Sequence, residues 1–376
     1  MTTKRLPMHD HDYKTYPNIA HLFCIIGNRE ETLPWVYNNF IQLVYFGSLR
    51  KIDYTNKQDS FFDPLLFDCP WLQFQFMHRD TVAHKWQGSI VQFAIEAIDM
   101  GQYVYFLADQ SHIRESDAYG RHAHNHDMFI YGYDKAAGTL HIADNLRRGR
   151  YVETTCSFEE MEAAYAAADP DSDWFDRRVM SVSFKPKTYF QYERNTAFDS
   201  LSAVDAMDRY VRGWKPPSYL CLENTYGIKV YDRIQEYLQG LEQGRDVVDI
   251  RLLHILWEHK KLMRRRLRFM LEHDFLRDAS LESAYAEVER GHGIAVGLLL
   301  KYSVSGDKRS LAKVSSLLSD GESLEKELLI KAIAGTRHRP MYDKGGAFNG
   351  ENSVVLHGHT DRKPGRIADV QAGIQR

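Results

Sequence analysis

The chain has 376 residues, 44% of them hydrophobic and 12% aromatic, enough apolar material for two domains with substantial cores. Its 48 basic and 51 acidic side chains leave a formal net charge of −3, so no global field favours nucleic acid or an anionic membrane, and a charged partner must be met by a local patch. No apolar run approaches the length of a membrane span, and the start MTTKRLPMHDHDYKTYP lacks the apolar core of a secretory signal, so the expectation is a cytoplasmic protein.

Cys24, Cys69, Cys156 and Cys221 are scattered without C-x-x-C spacing, which speaks against a zinc ribbon or a disulfide scaffold; each is expected to be a free thiol. The first half mixes helical and extended signals. Asn18 to Ile26 and Leu33 to Val44 read as helices broken at Gly27-Asn28, the second with Thr32 as a cap candidate and Pro34 in its first turn. A third helix runs from Ser89 to Met100, with Ile90, Phe93, Ala94 and Ile98 on one face and Gly101 where a left-handed residue is wanted. Gln102 to Leu107 is a strand, and the polar loop from Asp109 to Asn125 is a candidate rim of a site.

Asp127 to Tyr133 and Leu140 to Ala143 read as the strands of a hairpin whose turn, Asp134 to Thr139, carries Asp and Gly. His126 enters the first strand where Asp144 leaves the second, so an imidazole and a carboxylate far apart in sequence are expected within hydrogen-bond reach. Such a pair can orient a base for acyl-transfer chemistry. Arg150 to Thr154 is another strand, Ser157 to Glu160 is a capping box opening a helix to Ala168, and Val179 to Phe184 closes the region as a strand. Helices on a short, largely antiparallel sheet make an α+β domain over residues 1–190, with the crossing near Lys185 to Asn195.

Residues 191–336 are almost wholly helical, with stretches at Ala197 to Arg212, Tyr226 to Leu241, Val247 to His273, Leu281 to Ser303 and Leu311 to Ala334. They are expected to pack as a bundle, followed by a poorly ordered tail over residues 337–376.

Papain-like folds set a cysteine at the start of a buried helix and bring a histidine and an Asp or Asn from adjacent strands to meet it. The helix, strand and hairpin order of this chain matches that plan. AHLFCIIGN, LPWVYNNFIQL, YGRHAHNHDMFIYGYD, LHIADN, SFEEMEAAY, YGIKVYD and DIRLLHILWEHKKLM follow one another between Ala20 and Met263. In these segments the chain resembles the butirosin biosynthesis protein H family, papain-like proteins found beside bacterial natural-product gene clusters. The resemblance implies a papain-like N-terminal domain before an α-helical C-terminal domain. It also implies an acyltransferase or amide-forming enzyme that moves an acyl or aminoacyl group from a carrier-protein thioester, carried on phosphopantetheine, to a small-molecule amine acceptor. On that analogy Cys24 is the nucleophile if one exists, His126 the general base and Asp144 its orienter, with Asn145 as an alternative. Tyr16, Asp109, His124, Asn145, Arg251 and His254 are the expected substrate-binding residues. Tyr16 stands where the family pattern can carry a cysteine, so a non-catalytic partner of a peptide synthetase is a competing expectation. A thiol peptidase or amidase is another.

Cys24 lies two turns into its helix, where the dipole contributes little, and reads equally as a buried small hydrophobe. His122, His124, His126 and Asp127 also read as metal ligands in an H-x-H-x-H-D run, but the final pair is inverted relative to the metallo-β-lactamase pattern, and no bound metal is expected. The His9 to Asp12 run HDHD sits in a segment expected to be mobile. Lys260, Lys261, Arg264, Arg265, Arg266 and Arg268 form a basic helix stretch that suits docking an acidic carrier protein, or else a helix face paired with neighbouring acids.

Overall fold

The computed structural model describes residues 2–27, 29–55, 68–185, 196–216 and 222–338. The expected crossing near Lys185 to Asn195, the thiol of Cys221 and the tail beyond residue 338 lie wholly or mostly outside the described residues. The chain is mixed α+β, with an antiparallel sheet in the first half and helices in the second.

Ten strands and ten α-helices carry the argument. In chain order they are β1 (Thr3–Arg5), α1 (Pro17–Ile26), α2 (Leu33–Asn38), β2 (Gln42–Phe46), β3 (Lys51–Thr55), β4 (Leu72–His78), α3 (Arg79–Lys85), α4 (Ile90–Asp99), β5 (Tyr103–Asp109), β6 (Asn125–Asp134), β7 (Thr139–Arg147), β8 (Arg150–Ser157), α5 (Phe158–Ala167) and β9 (Arg178–Phe184). The second half adds α6 (Ser200–Arg212), β10 (Thr225–Tyr226), α7 (Val230–Glu242), α8 (Arg251–Glu272), α9 (Ser280–Ser305) and α10 (Lys308–Gly335). The main sheet runs β4-β9-β5-β6-β7-β8, with β1 added alongside β6, and a smaller sheet runs β10-β2-β3.

Local chemistry explains most boundaries. The Ser157 side chain accepts from the Glu160 backbone and Glu160 returns the bond, so the capping box opens α5 as its spacing predicts. Gly101, with φ +80°, takes the left-handed turn after α4 that a side chain would strain. The expected helix from Leu33 to Val44 is a correction: it stops at Asn38, Phe40 turns with φ 50°, and the chain leaves as β2. The Leu43-Val44-Tyr45-Phe46 run is β-branched and aromatic, and pairing with β3 outweighs its helical spacing. Arg266 of α8, fully buried, stabilises this turn by donating to the backbone carbonyls of Tyr37 at 2.8 Å, Asn39 at 2.7 Å and Phe40 at 3.3 Å. It satisfies carbonyls that the end of a short helix leaves open.

The two halves share contacts throughout. β10 extends the β2–β3 pair, and the His259 ring on α8 meets the Ile41 carbonyl at 2.9 Å. The N-terminal segment, expected to be mobile, is held at both ends: the Leu6 amide donates to the Tyr131 carbonyl and His9 to that of Cys24. The Lys14 and Thr15 amides both donate to the Glu258 carboxylate of α8, at 2.9 and 3.1 Å. His11 within this segment is buried rather than solvated.

At the centre of the helical half, Lys260 and Glu325 are both fully buried and 2.7 Å apart. Glu325 also accepts from the hydroxyls of Tyr210 at 3.2 Å, Tyr231 at 3.0 Å and Tyr285 at 2.5 Å, while the His259 Nδ1 stands 3.1 Å from the Lys260 ammonium. Every lone pair of the carboxylate is served, which is the condition under which a dry ion pair is tolerable. Replacing Lys260 with Met strands Glu325 as an unpaired buried charge and is expected to cost about 3–5 kcal/mol in urea unfolding. An unchanged unfolding midpoint counts against this account of the bundle core.

Candidate active site

The site is built at the end of the main sheet where β5 and β7 finish and β6 begins. Tyr105, Phe106, Leu107 and Ala108 lie opposite Phe129, Met128, Asp127 and His126 in an unbroken register. Side chains of a strand alternate between faces, so Tyr105, Asp127 and Phe129 share one side and Phe106, Met128 and His126 the other. Helix α1 covers the first side, its His21 ring stacked on Phe129 at 4.6 Å and edge-on to Tyr105 at 5.3 Å. Helix α5 covers the second, with Tyr165 against Phe106 at 5.2 Å. Phe129 pairs with Ala143, which places Asp144, the next residue of β7, on the α5 side with His126.

The two hairpin ends meet there. His126 Nδ1 lies 2.8 Å from Asp144 Oδ2, and Asp144 is completely buried while about a quarter of the His126 side chain reaches solvent. Asp144 Oδ1 accepts from the Asn145 amide at 2.7 Å, and its Oδ2 also accepts from the Gln110 side-chain amide at 2.7 Å. Burial works against a charged His126, but the field of Asp144 and its hydrogen bond outweigh it and push the imidazole up to about 9. The resting pair at neutral pH is therefore an imidazolium held by a carboxylate, a proton donor before it is a base.

A cleft of about 540 Å³ opens on the same side of the sheet, between the loop after β5 and α5, lined among others by His112, Tyr119, Arg121, His122 and Glu159. His122 at its edge stands 6.1 Å from His124, whose ring stacks on His126 at 5.2 Å. Trp174 stands edge-on to His126 at 6.4 Å.

Cys24 belongs to a different cluster. Its sulfur is 3.1 Å from His11 Nε2 and 3.5 Å from the Tyr151 hydroxyl, and Tyr151 in turn meets His21 Nδ1 at 2.7 Å. Tyr151 pairs with Asn145 across β7 and β8, which sets this group on the α1 face, with the sheet between it and the His126–Asp144 pair. Burial pushes the Cys24 thiol up to about 12 despite the Tyr151 hydrogen bond, and burial also lowers His11 to about 4, so the two rest as neutral thiol and neutral imidazole. The α1 N-terminus itself carries Tyr16 and Pro17.

The other expected site residues fall in several places. Asn145 flanks Asp144, and its side-chain amide donates to the Thr15 carbonyl at the entry to α1. Asp109 caps the turn after β5, accepting from the Ser111 and His124 amides at 2.9 Å each, so it shapes the loop from within. Tyr16 is buried beneath the Lys51 ammonium, 4.0 Å from its ring centre. Arg251 is engaged by Asp249 at 2.6 Å, and His254 lies beside Trp257 on the same helix. These partners replace the expected role of both residues at the site with local pairing.

The basic stretch of α8 is likewise spoken for. Lys260 and Arg266 are buried in the contacts described above, Arg264 meets Glu282 and Glu289, Arg268 meets Glu282, Arg265 pairs with Asp12, and Lys261 lies over Trp257. Pairing with neighbouring acids is the correct reading of this run, and the open cationic face expected for docking is absent. Among the described residues no group of three or more His, Cys, Asp or Glu side chains is arranged to hold a metal ion. His126 and Asp127 point to opposite faces, and the stacked His124 and His126 rings do not converge.

Sequence reasoning missed Gln110, Trp174, His11 and Tyr151. Gln110 was within reach: it continues the Phe106, Ala108 alternation by one step, so its side falls with that of His126. No protein-family model matches the chain, and no curated protein matches it.

Two outcomes follow from this geometry. In the folded chain at neutral pH, Cys24 is expected to resist iodoacetamide and to react only after unfolding, as mass spectrometry of the peptides reports; fast labelling of the native protein contradicts the burial argument. His126, raised in the folded state above its ordinary 6.5, adds stability that is fully present below about pH 6.5 and is lost as pH rises through about 9. The difference in urea midpoint between the native chain and Asp144→Asn should shrink across that window.

Proposed function

We propose that the protein forms amides by acyl transfer, with the His126–Asp144 pair as its acid–base group and without an enzyme thioester. The observation that carries the reading is the buried carboxylate 2.8 Å from a partly exposed imidazole, next to a cleft of small-molecule size. The resemblance to the butirosin biosynthesis protein H family supports the reaction class. It suggests a carrier-protein phosphopantetheine thioester as donor and a small-molecule amine as acceptor, in natural-product biosynthesis.

A thioester is already activated, so the chain need supply only position and proton traffic. The amine nitrogen attacks the acyl carbon, the carbon–nitrogen bond forms and the carbon–sulfur bond breaks. The His126 imidazolium gives its Nε2 proton to the departing thiolate and then takes the proton shed by the new amide nitrogen, returning to its starting charge. Asp144 holds the ring through Nδ1 in both stages. The papain-like plan, with Cys24 as nucleophile and a peptidase or amidase outcome, draws less support because that thiol is buried and bonded to His11. Burial of Cys24 and the Tyr16–Pro17 start of α1 favour one second reading, a papain-like partner of a peptide synthetase that has lost its nucleophile.

The two readings separate in a single assay with an acyl-pantetheine thioester and a panel of primary amines, read by amide formation. The acyltransfer reading expects His126→Ala to lose about 10²–10⁴-fold in rate. It expects Cys24→Ser to retain the native rate, and the native profile to fall above about pH 9 as the imidazolium is lost. Carrier binding with no turnover by the native chain supports the partner reading and ends the enzymatic one.

A further inference from the structure

We propose that Gln110 is the positioning residue of this site, its side-chain amide fixing the Asp144 carboxylate and thereby setting how firmly the His126 ring is held. Its catalytic meaning rests on the acyl-transfer reading above, but its structural effect does not.

Gln110 is 1% exposed, at the first position of the short helical turn that follows β5. Three contacts determine the side chain. Its Nε2 donates to Asp144 Oδ2 at 2.7 Å and lies 3.4 Å from His126 Nδ1, and its Oε1 accepts from the Ser116 hydroxyl at 3.2 Å. The reverse orientation of the amide would set its oxygen against the carboxylate and its nitrogen against the hydroxyl, which already accepts from the Ala118 amide. The backbone amide of Gln110 donates to the His124 carbonyl, so the turn and the histidine row move as one piece. The next two residues, Ser111 and His112, line the cleft. One turn therefore supplies both the cleft wall and the hydrogen bond that governs the acid–base pair.

The consequence is chemical as well as geometric. A carboxylate oxygen that serves two donors divides its charge between them, and withdrawing the amide leaves more of it for the imidazolium. A buried glutamine with a merely structural role would cost stability on removal but would leave the His126 titration in place.

Ring ¹⁵N NMR of the full chain reads that titration without any substrate. Gln110→Leu is expected to move the His126 midpoint upward by about 0.5 in pH, with a smaller upward change in Ser116→Ala, which only frees the amide to reorient. The alkaline limb of acyl transfer should move by the same amount. An unmoved His126 midpoint in folded Gln110→Leu overturns the inference, and if that variant does not fold, an unmoved midpoint in Ser116→Ala does so. A native chain that titrates and shifts as expected yet forms no amide rejects the proposed function while leaving the role of Gln110 standing.

Discussion

A carboxylate cut off from water must be matched by donors, and Asp144 meets that demand from three directions at once. The Asn145 amide takes one oxygen, and the His126 ring and the Gln110 side chain share the other. Loss of any one leaves a charge in a site that cannot solvate it, so the end of β7, the start of β6 and the turn after β5 are tied together. The charge state of His126 follows from the same constraint. An isolated imidazole at that depth would be neutral, and it is the neighbouring carboxylate that makes the charged form the stable one.

The sheet decides what that pair can work with. Alternation assigns His126, Asp144 and Gln110 to the face under α5, and Asn145, Asp127 and Tyr151 to the face under α1, where Cys24 and His11 lie. The thiol and the imidazole that the sequence would join as partners each have a different one. Cys24 has His11, in an environment that keeps both uncharged, and His126 has Asp144, in one that keeps both charged. The opposite outcomes come from partner chemistry: a thiol and an imidazole gain too little from each other to offset burial, whereas an imidazole and a carboxylate gain enough.

The helical half is attached by buried polar groups as much as by apolar surface. Arg266 satisfies the carbonyls that end α2, Glu258 holds the backbone ahead of α1, and His259 meets the chain entering β2. Glu258 touches Thr15, whose carbonyl receives the Asn145 side chain, and Asn145 bonds Asp144. A continuous line of hydrogen bonds thus runs from α8 to the acid–base pair. The cations that read in sequence as a docking surface are spent inside the fold, because a helix with charge on every side must bury some of it and finds acids and carbonyls to receive it.

Much of this was legible in residues alone wherever the determining forces are local. The capping box at Ser157, the stop at Gly101, the period of the helices in the second half and the hairpin that joins His126 to Asp144 all rest on interactions spanning a few residues or one turn. The sequence by itself determined those elements and the meeting of that pair. Tertiary structure decided the rest. It turned the Leu33 to Val44 helix into a strand by offering it β3, drew His11 under cover against Cys24, filled the third position on Asp144 with Gln110 and consumed the basic run of α8. The physical reason is the same in each case: desolvation and hydrogen-bond satisfaction are set by whatever arrives from distant parts of the chain, and periodicity carries no record of those arrivals.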